Sequence, residues 1–352
     1  MRALVAMSGG VDSSVAAALM REEGHDVIGV TLKLWSGPNG EAPTAGCCTV
    51  SDAEDARRVA AQLGIPYYVL DYTEEFRDGV VDRFVTDYVT GRTPNPCIEC
   101  NRTVKFDRLL GRLDDFECDV LVTGHHARNV LSGGTWTLHR GRDGAKDQSY
   151  VLSMLTQAEL TRTRFPVGEL TKTEVREIAS AMGLRTALKP ESMDICFVGQ
   201  RDYRGFMREA APGAFTSGPL VGSDGRDLGR HDGIAGFTVG QRRGLGVALG
   251  EPQFVIRIEP TTSTVVVGSR EELRVGGVVL EQVTWGSGLA VSGAVTAQYR
   301  AHGEPVQAVF RDGTLHFSQP QEAVAPGQTV ALYDEDRVIG GGLIERTLEV
   351  AA

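Results

Sequence analysis

No stretch of the 352-residue chain approaches the roughly 18 consecutive apolar residues of a membrane-crossing helix. An excess of positive charge is missing too. Lys and Arg number 36 against 46 Asp and Glu, a formal net charge of −10, so attraction of the whole surface to a polyanion is excluded and any such contact falls to local patches. Three patches qualify: Arg92 to Arg112, with five basic residues against two acids, Arg201 to Arg208, with three Arg, and the compact loop Gln241-Arg242-Arg243-Gly244; each reads equally as solvated surface charge. Cysteine is scarce, six residues with a single Cys-x-x-Cys, which excludes a disulfide-stapled scaffold. Internal repeats and low-complexity tracts are absent. Met1-Arg2-Ala3-Leu4 runs straight into an apolar strand with no room for a signal peptide, so a cytoplasmic protein with reduced thiols is expected.

Two common glycine signatures are also absent where they would be sought. After the strand-like Ala3–Met7 comes Ser8-Gly9-Gly10-Val11-Asp12-Ser13-Ser14, then an Ala-rich helical run from Val15 to Met20. No Lys follows the glycines, which excludes a Walker A loop, and the third glycine of a dinucleotide fingerprint is missing. The run keeps the physics of an anion cradle. Glycines let the backbone approach a phosphate, and a helix start supplies unpaired N–H groups and the positive end of its dipole. Asp12 repels a bare phosphate, so its presence implies a cation, Mg²⁺, between them.

Strand and helix patterns alternate through the first half. Strands are expected at Ala3–Met7, Val27–Leu34, Tyr67–Leu70 and Asp119–Thr123, and helices at Val11–Glu22, Asp52–Leu63, Glu74–Tyr88 and Val104–Leu113. That order predicts a parallel sheet with crossover helices, ligands gathering beyond the strand carboxyl ends near Ser8, Leu32 and Gly124. From Gly218 the texture turns glycine-rich, with short β-branched runs such as Thr264–Val267 and Val330–Tyr333. The fold class is therefore an α/β N-terminal domain, a small mostly β central domain and a C-terminal β-barrel, divided at 1–204, 205–270 and 271–352.

Cys97 and Cys100 lie in Thr93-Pro94-Asn95-Pro96-Cys97-Ile98-Glu99-Cys100-Asn101. The second half of a zinc site is missing. The prolines predict an extended loop that gives way to a helix near Arg102, with Cys100 close to its start. Arg102 and Lys105 add positive potential there, which favours a thiolate. A reactive thiol, a metal or cluster ligand and a structural thiol all remain open on the residues alone. Cys118 reads as core, Cys47 and Cys48 as loop or packing thiols, and Cys196 by itself as a buried structural thiol.

The motifs in order carry a resemblance: Ser8–Ser14, Gly91-Arg92-Thr93-Pro94-Asn95-Pro96-Cys97, Cys100-Asn101, Thr123-Gly124-His125, Lys146-Asp147-Gln148-Ser149-Tyr150, Ile195-Cys196-Phe197, Gly240-Gln241-Arg242-Arg243-Gly244, Pro326-Gly327-Gln328 and Gly340-Gly341-Gly342. Over nearly its whole length the chain resembles the bacterial tRNA-specific 2-thiouridylases (MnmA), of the PP-loop ATP pyrophosphatase superfamily. The resemblance implies ATP-dependent 2-thiolation of the wobble uridine of tRNA: the uracil C2 oxygen is adenylated and sulfur is then transferred. It places ATP on Ala6, Met7, Ser8, Gly9, Gly10, Val11, Asp12 and Ser13, with Leu32 and Gly124 near the adenosine, and Mg²⁺ by Asp12. Asn95, Pro96 and Cys97 contact the target base, Cys100 is the nucleophile and Cys196 carries the persulfide. His125, Lys146, Asp147, Gln148, Tyr299, Arg300 and Gln328 fall where that family meets tRNA, at the anticodon stem-loop. A sulfur-relay or cysteine desulfurase donor protein is implied as partner, and no membrane. Some members carry Asp at the position of Cys97, which leaves the role of that residue open. Two other readings use the same motifs: thiolation through an iron–sulfur cluster held by Cys97, Cys100 and Cys196, and a PP-loop ligase forming an amide or C–N bond, in which these cysteines are idle.

Overall fold

The computed structural model describes residues 1–36, 49–190, 195–198, 202–247 and 250–350. Cys47 and Cys48 lie outside the described residues. Among the described residues, seven strands precede residue 165: β1 (Arg2–Ala6), β2 (Asp26–Lys33), β3 (Tyr67–Asp71), β4 (Val120–Thr123), β5 (Ala127–Ser132), β6 (Thr135–Arg140) and β7 (Thr163–Arg164). Five of them form a parallel sheet in the order β3-β2-β1-β4-β7. Strand order reverses between β1 and β4, so the crevice that opens there lies between the loops after Ala6 and after Thr123.

The central strands are covered on both faces, as a parallel sheet requires. Side chains alternate accordingly. Leu4, Ile28, Val30, Leu32 and Leu121 enter one core, and Ala3, Val5, Met7, Val27, Val120 and Val122 the other. The first helix, α1 (Val11–Glu22), is buried through Val15, Ala16, Ala17 and Ala18, whose small side chains let it press close to the sheet. The second, α2 (Val50–Leu63), starts with a reciprocal cap between Thr49 and Asp52 and stops at Gly64 in the left-handed region.

A helix was expected to start only near Arg102, after an extended Cys-x-x-Cys loop. It starts six residues earlier, at Pro96. Asn95 caps it, its side-chain oxygen accepting from the N–H groups of Cys97 (3.2 Å) and Ile98 (3.3 Å). Pro at the first helical position suits that geometry, since its missing N–H would go unbonded anyway. From Cys100 to Leu109 the backbone bonds i to i+5, a wide π-helical stretch of the kind that recurs at functional sites.

The central module is a four-stranded sheet of β8 (Gly218–Gly222), β9 (Asp227–His231), β10 (Phe254–Glu259) and β11 (Thr264–Gly268), with its own small core around Phe237, Val255 and Val265. The helix Tyr203–Ala210 ahead of it sends Phe206 and Met207 into the N-terminal domain's core. The last strands are β12 (Arg274–Trp285), β13 (Gly293–Gln298), β14 (Val306–Arg311), β15 (Thr314–Glu322), β16 (Thr329–Asp334) and β17 (Arg337–Leu348). They close into a six-stranded barrel because β12 pairs with both β15 and β17. Closure leaves those strands without open edges. The β5–β6 hairpin, absent from the sequence reading, joins the start of β17 through Arg337 and Val338 and thereby bolts the barrel to the N-terminal domain.

Candidate active site

The turn after β1 is shaped by what it lacks. Gly9 has φ +72°, and a Cβ there would stand 2.2 Å from the Asp52 carbonyl oxygen. Gly124 after β4 is equally tight: its Cβ would lie 2.5 Å from the Ser13 nitrogen. Gly9 thus lets the turn after β1 press against the start of α2, and Gly124 lets the loop after β4 meet the first turn of α1 across the crevice. Gly10 caps α1 without a side chain, so nothing from the cap residue occupies the first-turn N–H groups. Ser8 and Ser13 face each other, the Ser13 hydroxyl accepting from the Ser8 N–H at 3.1 Å. Above this turn lies a cavity of about 320 Å³, bordered by Ala6, Met7, Ser8, Gly10, Asp12, Ser13, Leu32 and Gly124. Most of the residues expected to bind ATP therefore share one wall system.

Two lysines that sequence reasoning missed enter the same cavity. Lys172 places its Nζ 2.8 Å from both carboxylate oxygens of Asp12, and His126 Nε2 stands 3.1 Å from one of them. Burial would raise the Asp12 carboxyl; the hydrogen bonds from His126 and Lys172 outweigh it and hold the group below its ordinary value. Lys189 reaches the Gly9 carbonyl (3.0 Å), Asp52 (2.7 Å) and Asp55 (2.7 Å). Burial would lower this ammonium, but the bonds to Asp52 and Asp55 raise it above the ordinary value. Each lysine follows a local signal: Lys172 opens a helix capped by Thr171 and Glu174, and Lys189 follows a short helical turn. Neither signal says that the side chain meets the first turn of a helix more than 130 residues away.

His125, expected at tRNA, borders the cavity, its Nδ1 2.7 Å from the Thr123 hydroxyl and its ring edge-on to Phe165. Burial, with the charges of Lys105 and His126 adding, pushes its pKa well below 6.5. Lys146 and Gln148 also border the cavity. Gln148 grips the loop after β4 twice: its side chain accepts from the His126 N–H, and its own N–H donates to the His126 carbonyl, both at 2.9 Å. Asp147 points inward and takes Arg140 (2.7 Å), the N–H groups of Gly141 and Ser149, and the Ser149 hydroxyl. Arg140 in turn lies 3.7 Å over the Tyr333 ring of the barrel.

The cysteine helix runs along this site. Cys97 is exposed and Cys100 buried. Lys105, on the same helix as Cys100, borders the cavity over the glycine turn and donates to Asn101 at 2.9 Å, while Asn101 holds the Val151 carbonyl at 3.0 Å. Glu99, also buried, is matched by Arg102 (2.6 Å) and Arg83 (3.2 Å). Cys196 sits in a turn anchored by Phe197, whose ring contacts Trp35, Phe76, Phe84 and Phe206. Cys196 packs against the same large core that contains Cys100. Among the described residues no three His, Cys, Asp or Glu side chains converge as a metal-ligand set, so the three cysteines are not grouped that way here. No described helix is long and apolar enough to cross a membrane.

The barrel touches the cysteine loop directly. The Thr93 N–H donates to the Pro326 carbonyl at 2.8 Å, and Arg92 bonds the Ile344 carbonyl at 3.3 Å and pairs with Glu281. Gln328 closes the turn that makes this contact, accepting from the Ala325 N–H at 2.9 Å. Tyr299 and Arg300 line a separate cleft between the central module and the barrel, with Arg242, Arg270 and Arg274 beside them. Arg300 bonds the carbonyls of Glu322 (2.6 Å) and Ala323 (3.0 Å).

Family models described as tRNA methyl transferase HUP domain, tRNA methyl transferase PRC-barrel domain and aminomethyltransferase beta-barrel domain match residues 1–200, 205–269 and 275–344. Proteins named tRNA-specific 2-thiouridylase MnmA are similar along nearly the full length. That of Roseiflexus sp. (strain RS-1) is 47% identical, over 97% of this chain and 99% of that protein. The Rhizorhabdus wittichii protein is 48% identical, over 99% and 92%. The Herpetosiphon aurantiacus protein is 48% identical, over 97% of each.

Proposed function

This chain belongs to the tRNA-specific 2-thiouridylase family, and from that membership we propose that it is an ATP-dependent tRNA-uridine 2-sulfurtransferase acting on the wobble base. The observation that carries the reading is that one helix joins the two halves of the chemistry: Cys100 begins its π-helical stretch and Lys105, on that stretch, borders the cavity over the glycine turn. Transfer of sulfur, rather than of the methyl group in two of the family models' descriptions, fits that pairing. An oxygen at C2 must be activated before it can leave, whereas methylation needs no ATP-split activation.

In this reading the phosphates lie on Ser8–Ser13 between Lys172 and Lys189, with the adenosine near Ala6, Met7, Leu32 and Gly124. One carboxylate with the phosphates suffices for Mg²⁺, and Asp12 would hold it. The ion would supply charge neutralisation for the departing pyrophosphate. Lys172 and the open N–H groups of α1 act on the same developing charge. Asn95, Pro96 and Cys97 face the base, which must leave its stack at a cost of a few kcal/mol. The persulfide of Cys196 attacks C2 and expels AMP. Cys100 then attacks the Cys196 sulfur, forming the Cys100–Cys196 disulfide and releasing the thiocarbonyl.

Contacts to the anticodon stem-loop come from the cleft of Tyr299 and Arg300 and from the cavity rim at Lys146 and Gln148, while Asp147 and Gln328 set the shape of the loops behind them. The units are taken as 1–204, 205–270 and 271–352. A persulfide-bearing donor protein of the cytoplasm would reload Cys196. The test is thiolation of tRNA by purified Cys100→Ser and Cys196→Ser proteins, read by nucleoside mass spectrometry. Both should form no 2-thiouridine while still binding ATP; normal thiolation by either refutes the assignment.

A further inference from the structure

The proposed reaction leaves its oxidation in the wrong place. A Cys100–Cys196 bridge joins a thiol that is 8% exposed to one that is half-buried, where an external reductant reaches poorly. Cys97 stands on the same helical turn as Cys100, whose N–H donates to the Cys97 carbonyl, and Cys97 is exposed. Residues three apart on a turn have Cβ atoms about 5–6 Å apart, and a disulfide needs about 3.5–4.5 Å. A small closure at the first turn of the helix covers the difference.

Resting on the persulfide reading above, we propose that Cys97 is the thiol that resolves the Cys100–Cys196 bridge and carries the oxidation to the surface. The Cys97 thiolate attacks the Cys100 sulfur. The Cys97–Cys100 bond forms, the Cys100–Cys196 bond breaks, and the electron pair leaves on the Cys196 thiolate. The exchange is neutral in electrons and needs no co-reactant. Cys196 is thereby freed to accept another sulfane sulfur while the exposed bridge waits for a small or protein dithiol, which reduces it in a separate step.

The experiment runs one round of thiolation with ATP, Mg²⁺, tRNA and protein preloaded with inorganic polysulfide. The thiols are then trapped by alkylation and the bridges mapped by mass spectrometry. Wild type should hold Cys97–Cys100, and Cys97→Ser should hold Cys100–Cys196. After a dithiothreitol pulse, removal of the dithiol and reloading with polysulfide, the rounds after the first should slow at least tenfold in Cys97→Ser relative to its own first round, and keep pace in wild type. A wild-type protein that retains Cys100–Cys196 overturns the proposal, as does a Cys97→Ser protein whose later rounds keep pace with its first. Thiouridine formed by Cys97→Ser with no bridge to Cys196 overturns the persulfide reading and the proposal with it.

Discussion

Replacing Gly124 by Ala tests the architecture of the nucleotide site with a single methyl group. The added Cβ would lie 2.5 Å from the Ser13 nitrogen, 2.6 Å from the Asp12 carbonyl carbon and 2.9 Å from its oxygen. All three are backbone atoms of the first turn of α1, so no flexible side chain can swing aside. Ordinary contact begins near 3.4 Å, so the glycine turn and α1 must retreat from β4 by about 1 Å. Overpacking of this size costs about 1–3 kcal/mol. For a domain of this size that lowers Tm by roughly 2–12 °C. Displacement of catalytic groups by about 1 Å costs on the order of 100-fold in rate. Thermal unfolding and tRNA-dependent AMP release would both be measured, with Gly144→Ala as control, since nothing lies within 4 Å of a Cβ at Gly144. Gly124→Ala activity within twofold of wild type at unchanged Tm would refute the claim that the two loops meet at this glycine.

Lys172→Met removes the ammonium beside Asp12 and the phosphates, leaving His126 as the remaining side chain bonded to that carboxylate. A charge-assisted hydrogen bond contributes about 1.5–3 kcal/mol, so the Kd for ATP should rise roughly 10- to 150-fold, and that for adenosine far less, by calorimetry. Equal weakening of the two would contradict the phosphate-side placement. His125 and His231 both have pKa values depressed by burial, so the unfolded chain binds protons that the native state refuses. Stability is then fully present above about pH 6.5 and is lost as pH falls below it, by at most about 1.4 kcal/mol per pH unit for each group. Urea unfolding between pH 7.5 and 5.5 should show a shallower loss in His125→Asn than in wild type, and parallel slopes would exclude a buried neutral imidazole.

The amino-acid order alone determined whatever is decided within a few residues. The glycine turn between an apolar strand and a small-residue helix was legible because φ +72° at Gly9 and a side-chain-free cap at Gly10 are properties of those residues themselves. The alternating strands and helices, and the barrel runs after them, were legible from period and turn residues. Even there a local competition misled: Asn95 and Pro96 read as a rigid loop, whereas an Asn cap with Pro in the first helical position starts a helix. Only the tertiary structure decided which distant side chains meet. Lys172 and Lys189 find Asp12 and Asp52 across 160 and 137 residues, the β5–β6 hairpin leaves its own domain to extend the barrel sheet, and Arg140 stacks on Tyr333 of the barrel. A lone lysine or a short hairpin carries no mark of its partner. Its place follows from how two cores and a closed barrel pack together, a sum over many weak contacts that no short window of residues contains.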